Sequence, residues 1–381
     1  MVWGPNAAGK TSLLEAVAVL AWGRSHRTTA DAELIRWGAD VGRVEGVVAP
    51  DGGATTDAAP GAGPADGDML AGATIEVGLV RTNAGARKRI RVNGVSRRAG
   101  GLAGLLRIVV FAPEEMLLVA GSPALRRSAL DTLAEQRSAG YARDLATYGR
   151  ALQQRNSLLR AIREEQASRA ELRYWDTALL DAGGSLVTER LALLALLAAP
   201  LARAHAEIAP EEADAAVLRL RYVTNAPAMP GETPRDALSR RLAETADKEI
   251  WNGTTLVGPH RDDMAFEQDG RDLATFASRG QQRTAILALK LAELDLLTEL
   301  DGRPPLLLLD DVFSELDPER RGHLVRRIAG LPQAFVTTTT LDDLDPQLRA
   351  HATSWEVVAA PGADLANLGP GARLLGPAVR R

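Results

Sequence analysis

The stretch Gly4-Pro5-Asn6-Ala7-Ala8-Gly9-Lys10-Thr11 constrains this chain more than any other. It fits G-x-x-x-x-G-K-[ST], a phosphate-binding loop that leads from a strand into a helix. The chemistry explains the spacing. Successive backbone N–H groups curl round the α- and β-phosphates, and the following helix points its positive end at them. Gly4 and Gly9 let the backbone approach oxygen. Lys10 reaches the β- and γ-phosphates as a point charge, and the Thr11 hydroxyl is a ligand for Mg²⁺. Residues 10–21 read as the first helix. Only Met1, Val2 and Trp3 precede Gly4, short of the roughly 5–6 residues of a typical central strand. Either the chain begins late, or its sheet lacks the central strand.

A second half-site lies near the other end of the chain. Leu306-Leu307-Leu308-Leu309 reads as a strand buried on both faces, as in parallel sheets. It runs into Asp310-Asp311, at the end where such sheets bind ligands. Asp310 is read as the carboxylate for Mg²⁺, and Asp311 as the group that orients or deprotonates the attacking water. The competing reading is an ordinary acid pair capping a helix. Ser278, Gly280 and Gln281 stand at the start of a long amphipathic helix, a weak anion signal when taken alone.

The remaining sequence adds limits. A net charge of −4 gives no global sign of nucleic-acid binding, so any basic surface is local. The absence of cysteine excludes disulfides and thiolate metal sites, and five scattered His argue against a histidine cluster. The most apolar run, residues 191–202, is too short to span a membrane and contains Pro200. Residues 51–72, rich in Gly, Ala, Pro and Asp, read as a disordered loop. Strands are expected at 74–80 and 87–92, with Asn93-Gly94 as a turn. Alternation places Arg87, Arg89 and Arg91 on one face, and with Lys88, Arg97 and Arg98 they are candidates for a DNA backbone. The plainer reading is a solvated edge strand.

A helical region follows from Ser122 to about residue 209. Leu145, Tyr148, Leu152, Leu159 and Ile162 fall at heptad-like steps, broken by Arg155; Leu172, Trp175, Leu179, Ala182 and Leu186 repeat them. Two antiparallel helices are the simplest solution. Strand character returns at 217–223, 254–258 and 334–339, and Asp269-Gly270 marks a hairpin. His26 with its neighbouring arginines, and His260 with the carboxylates after it, stay ambiguous between ligand contacts and structural residues.

The order of these features resembles an ABC-type ATPase head. More narrowly, residues 23–28, Val92-Asn93-Gly94, Phe111-Ala112-Pro113-Glu114, 258–263, 278–284 and 306–317 resemble the RecF family, bacterial recombination mediators related to SMC and Rad50 heads. The resemblance implies an α/β fold: a discontinuous ATPase lobe I with a mixed or parallel sheet (1–115 plus 254–360), a helical lobe II (116–253) with a short antiparallel helix pair, and a tail at 361–381. It implies ATP and Mg²⁺, with two protomers closing head to tail. The phosphate loop, Gly4 to Thr11, of one would then face Ser278, Gly280 and Gln281 of the other. Slow hydrolysis through Lys10 and Asp311, binding of gapped, single- and double-stranded DNA, partners of the RecR and RecO type, and a cytoplasmic, nucleoid-associated place follow from it. The family carries strands ahead of its phosphate loop, so the chain reads as truncated at its N-terminus. Glu115 replaces the family's usual Asp. The alternatives are a nucleotide-gated protein scaffold with little DNA contact, and a transporter ATPase subunit. Against the latter stands the lack of a glutamine after the Phe111 strand.

Overall fold

A computed structural model describes residues 1–48, 72–359 and 372–375. Most of the segments expected to be a loop (51–72) and a tail (361–381) lie outside the described residues. Two compact units emerge, one made of Met1–Pro113 and Pro304–Arg381, the other of Glu114–Arg303. The sequence reading had grouped 254–303 with the ATPase lobe. Here that segment belongs with the helices, because its strand pairs with one from the helical region and its long helix packs there.

The first unit begins β1 (Val2–Trp3), α1 (Lys10–Trp22), β2 (Val41–Val48), β3 (Ala73–Thr82), β4 (Gly85–Val92), β5 (Val95–Arg97) and β6 (Ile108–Phe111). The second contains α2 (Leu117–Ala120), α3 (Pro123–Arg137), α4 (Ala139–Arg163), α5 (Leu172–Ile208), α6 (Pro210–Ala215), β7 (Leu218–Val223), α7 (Pro234–Asn252), β8 (Asp263–Gln268), β9 (Arg271–Asp272), α8 (Leu273–Phe276) and α9 (Arg279–Asp301). The chain then returns through β10 (Leu306–Asp310), α10 (Pro318–Ala329), β11 (Ala334–Thr338), α11 (Pro346–His351), β12 (Trp355–Ala359) and β13 (Ala372–Leu375).

In the first unit, the main sheet has the order β13-β12-β1-β11-β10-β6. All its pairings are parallel except β12 with β13. The sheet does have its central strand: two residues suffice because β11 and β12 hold β1 from both sides. The four-leucine strand β10 is buried between β6 and β11, as its composition demanded. A second, antiparallel sheet runs β2-β3-β4-β5. Asn93 (φ 51°) and Gly94 (φ 76°) form its tight turn.

Helix α1 lies between the two sheets. Leu14, Ala18 and Ala21 pack on Ile108, Val110 and Leu308 of the main sheet. Val19 and Leu20 pack on Ile75, Val77 and Ile90 of the other. The fit is close at Gly46, where an added Cβ would come within 2.7 Å of Leu20 Cδ1.

In the second unit, α5 is the core helix, 37 residues long, packed by α4, α7 and α9. Its length and composition alone would suit a membrane crossing, so the apolar run extends beyond residues 191–202, and Pro200 sits inside the helix without ending it. The antiparallel pair is α4 and α5, with α3 as a further helix. Arg155, which seemed to break the α4 stripe, is a core residue. It donates to Asp176 (2.6 Å), Thr255 Oγ1 (2.8 Å) and the buried Glu249 (2.7 Å). Residues 254–258 are a loop, not a strand. Their backbone is taken by side chains: Asn156 accepts from Thr255 N, and Glu249 accepts from Leu256 N, both at 2.7 Å.

Candidate nucleotide site and basic face

The phosphate loop crosses from β1 to α1 with the backbone its composition allows. Gly4 has φ 148° and Gly9 φ 103°. A Cβ on Gly4 would lie 2.4 Å from the Val357 carbonyl oxygen, so β12 passing alongside also demands glycine there. Pro5, Asn6 and Ala7 are exposed, with Ala7 at φ 62°. Ala8 is buried against Val2 and Val357. Lys10 is buried and donates to the Gly4 (2.7 Å) and Pro5 (2.9 Å) carbonyls. Burial pulls its ammonium below the ordinary lysine value, against the opposing fields of Asp311 and Asp310.

Thr11 Oγ1 donates to Asp310 Oδ1 at 3.1 Å, so the two groups expected to hold Mg²⁺ converge across 299 positions of sequence. A hydroxyl and one carboxylate suit a cation that takes most of its ligands from phosphate and water. Among the described residues no cluster of three or more His, Asp or Glu competes for that role. Asp311 sits in the left-handed region, φ 51°.

Thr337 is a site residue that the sequence reading missed. Parallel pairing sets it opposite Asp310. Its hydroxyl donates to Asp310 Oδ1 at 2.6 Å and accepts from Asp311 N at 3.0 Å, fixing both acids at once. The only signal in the sequence was a threonine in a β-branched strand, which β-propensity explains equally well.

In the other unit, Ser278 is the N-cap of α9. Its hydroxyl accepts from Gln281 N (3.2 Å), and Gln281 Oε1 accepts from Ser278 N (2.9 Å), a reciprocal box. Gly280 is different. A Cβ there would meet only Ser278 Oγ at 3.7 Å, and its φ is ordinary. Among the described residues nothing requires a glycine in this first turn, where it costs about 1 kcal/mol relative to alanine.

The loop 258–263 is held in the second unit by arginines. Arg190 donates to the Pro259 carbonyl at 2.8 Å, and Arg127 to that of Asp262 at 2.8 Å. Arg126 makes a two-pronged pair with Asp263, 2.8 Å at each oxygen. His260 Nε2 lies 3.2 Å from the Thr255 carbonyl, which can only accept; Nδ1 therefore accepts from the Tyr148 hydroxyl at 2.6 Å. Burial pushes His260 down to about 4, helped by Arg261, Arg127 and Arg155. A depressed histidine favours folding above its unfolded value near 6.5, and that contribution is lost as pH falls through about 4. The second unit should lose about 3 kcal/mol over this window. Urea midpoints at pH 7 and pH 4 test this: in His260→Asn the change should be clearly smaller than in the native chain.

The basic strand residues separate. Arg87 and Arg89 are exposed on the outer face of the β2–β5 sheet and make no ion pair among the described residues. Arg91 shares that face but lies 3.9 Å from Glu76. Lys88 faces the other way and pairs with Asp31 at 2.8 Å. Arg97 pairs opposite Ile90, on the face Lys88 occupies. Ser25, after α1, is tied back to Glu15 at 2.5 Å and accepts from the Arg27 and Thr28 amides, so the loop that carries His26 is built on α1.

No protein-family model matches the chain. Its sequence is 41% identical over 368 residues to the DNA replication and repair protein RecF of Chloroflexus aggregans, across 94% of this chain and 91% of the relative. It is 38% identical over 365 residues to RecF of Bacillus subtilis, again across 94% and 91%. Among solved structures it is similar to the recombination mediator protein RecF-ATP in the RecFOR pathway, with TM-score 0.80, 29% identity and coverage of 98% and 91%. The corresponding RecF-ATPrS structure gives TM-score 0.78 at 30% identity, covering 94% and 89%. The α/β fold expected from the sequence is the fold of these structures.

Proposed function

The chain belongs to the RecF family of DNA replication and repair proteins, and from that premise we propose that it is an ATP-dependent DNA-binding mediator of recombinational repair. It works in the cytoplasm beside the nucleoid, with partners of the RecR and RecO type, and uses ATP as a switch for a head-to-tail homodimer. The observation that carries this reading is the contact of Thr11 with Asp310, beside Lys10 and Asp311.

Each residue has a task. The backbone from Gly4 to Gly9 cradles the phosphates, and Lys10 neutralises charge on the outer two. Thr11 and Asp310 would hold Mg²⁺, which supplies further neutralisation there. Thr337 keeps Asp310 aimed, and Asp311 orients the attacking water. Ser278, Gly280 and Gln281 of a second protomer cover the triphosphate. Gly280 supports that reading: the small residue leaves open the approach to the helix N-terminus, where an anion is favoured. Arg87 and Arg89 contact the DNA backbone, so binding weakens steeply with salt.

Complementation tests the sandwich. Lys10→Ala removes the grip on the triphosphate. Gly280→Asp adds a carboxylate that suits the first turn of α9 but repels the ligand. Neither variant should dimerise with ATP and Mg²⁺ in light scattering. Their equimolar mixture should, since one of its two composite sites is intact. A mixture that stays monomeric while the native chain dimerises would exclude shared sites.

A further inference from the structure

We infer that β2 is an edge at which two copies of this chain join, antiparallel and two-fold symmetric about Val44, into one continuous sheet. Short length, proline, lysine or a bulge normally blunts a sheet edge. In the β2-β3-β4-β5 sheet, β5 is blunted by its length of three residues. At the other edge β2 runs for eight residues with no proline or lysine, and pairs with β3 at every position without a bulge. The Arg81 amide donates to the Asp40 carbonyl (2.7 Å), so alternation commits the even-numbered residues of β2 to β3. The far side of β3 agrees. The Asn93 amide donates to the Thr74 carbonyl (2.8 Å), which turns the even-numbered residues of β3 to β4 and leaves the odd ones for β2. The N–H and C=O groups of Val41, Arg43, Glu45 and Val47 therefore point away from the sheet. Among the described residues no hydrogen bond reaches these backbone groups.

The side chains of the same four residues select the occupant. They lie on the outer face of the sheet, with Val41 61% and Val47 66% exposed. Lay a second β2 antiparallel along the first, Val44 opposite Val44. Val41 then meets Val47 of the second copy and Arg43 meets its Glu45, each contact occurring twice. The residues that exchange backbone hydrogen bonds are the outward-pointing ones, as an antiparallel pair requires. The exposed valines cover one another. Arg43 gains a second carboxylate beside that of its own Glu45 (2.7 Å), and the charges alternate in sign around the axis. On the inner face Gly42 opposes Gly46 and adds no bulk. The register is specific. A slide of two residues sets Arg43 against Arg43 one way and Glu45 against Glu45 the other, and like charges directly opposite are destabilising. A slide of one residue faces the free backbone groups of one strand with the committed groups of the other. A strand that complements itself under a two-fold is what an isologous contact needs, whereas docking a different protein asks for no such symmetry. Exposed ion pairs contribute little, so the backbone ladder and the valines hold the contact and the charges set its register.

Sedimentation velocity without nucleotide or DNA tests this, and keeps it separate from ATP-driven assembly. The native chain should dimerise with a midpoint of about 50 µM, in the weak class of small interfaces, and be monomeric at about 1 µM. Glu45→Arg and Arg43→Glu each place like charges opposite one another across the axis, and each should stay monomeric at about 500 µM. Mixed in equal amounts they should pair, because every Arg then meets a Glu. Both substitutions in one chain should restore native dimerisation. Val44→Cys, in a chain with no other cysteine, should cross-link to a dimer on oxidation, because opposed residues of a non-hydrogen-bonded pair stand within disulfide reach. Val48→Cys should not. A native chain monomeric at about 500 µM, single variants that associate as it does, or a mixture that stays monomeric overturns the proposal and leaves the edge to another protein or to the chain itself.

Discussion

Arg190→Met is expected to destabilise the second unit by about 3–5 kcal/mol, the cost of leaving a buried partner charge alone. Arg190 is 2% exposed at the centre of α5. Its guanidinium donates to Asp131 from two nitrogens (3.0 and 2.7 Å), to Tyr141 (3.0 Å), to Tyr222 (3.3 Å) and to the Pro259 carbonyl (2.8 Å). One side chain thus ties together α3, α4, α5, β7 and the 258–263 loop. Methionine keeps the stem and removes every donor, leaving Asp131 the hydrogen bond from the Tyr141 hydroxyl but no counter-charge, and the Pro259 carbonyl without its guanidinium partner. The double variant Arg190→Met, Asp131→Leu should recover much of the loss, since replacing both partners of a buried pair is far less costly than removing one. Urea unfolding followed by circular dichroism reads both numbers. A single-variant loss below about 1 kcal/mol would mean that water reaches the cluster.

Asp311→Asn should lower ATP hydrolysis by about 10²–10⁴-fold, the usual contribution of a positioned proton acceptor, while the ATP-bound dimer still forms and persists longer. The variant is clean because the backbone there is left-handed, φ 51°, a conformation that Asn adopts as readily as Asp. The contacts of Thr337 with Asp310 and with the residue-311 amide involve no carboxylate of residue 311 and are kept. Native turnover should itself be slow, below about 1 s⁻¹, in line with the slow hydrolysis that the family resemblance implies. Phosphate release and light scattering on the same samples decide. Unchanged turnover would move the water-positioning role to another residue, and a monomeric Asp311→Asn with ATP would speak against the sandwich.

What was legible in the sequence was what local chemistry fixes. The phosphate loop, α1, the leucine strand β10 and the Asn93-Gly94 and Asp269-Gly270 turns each follow from neighbours in the chain. What stayed hidden depends on pairing across the fold. Thr337 acquires its task only when β11 lies parallel to β10. Arg155 reads as an interruption of an apolar stripe and Arg190 draws no reading, because nothing local announces the acids they meet. Residues 254–258 read as a strand because β-branched and aliphatic residues occur in both; their amides go to Asn156 and Glu249 instead. Lys88 was grouped with its neighbours by charge, although alternation alone puts it on the opposite face.

Helix α1 is clamped between two sheets, and that has a mechanical consequence. Protein interiors compress very little, and Leu20 is already at the limit of approach to Gly46. Any displacement imposed on the helix at its N-terminus travels along a stiff rod into Ile75, Val77 and Ile90. The reverse side of those same strands carries the arginine row. A load on the start of the helix and a load on that outer face thus press on opposite ends of one strut.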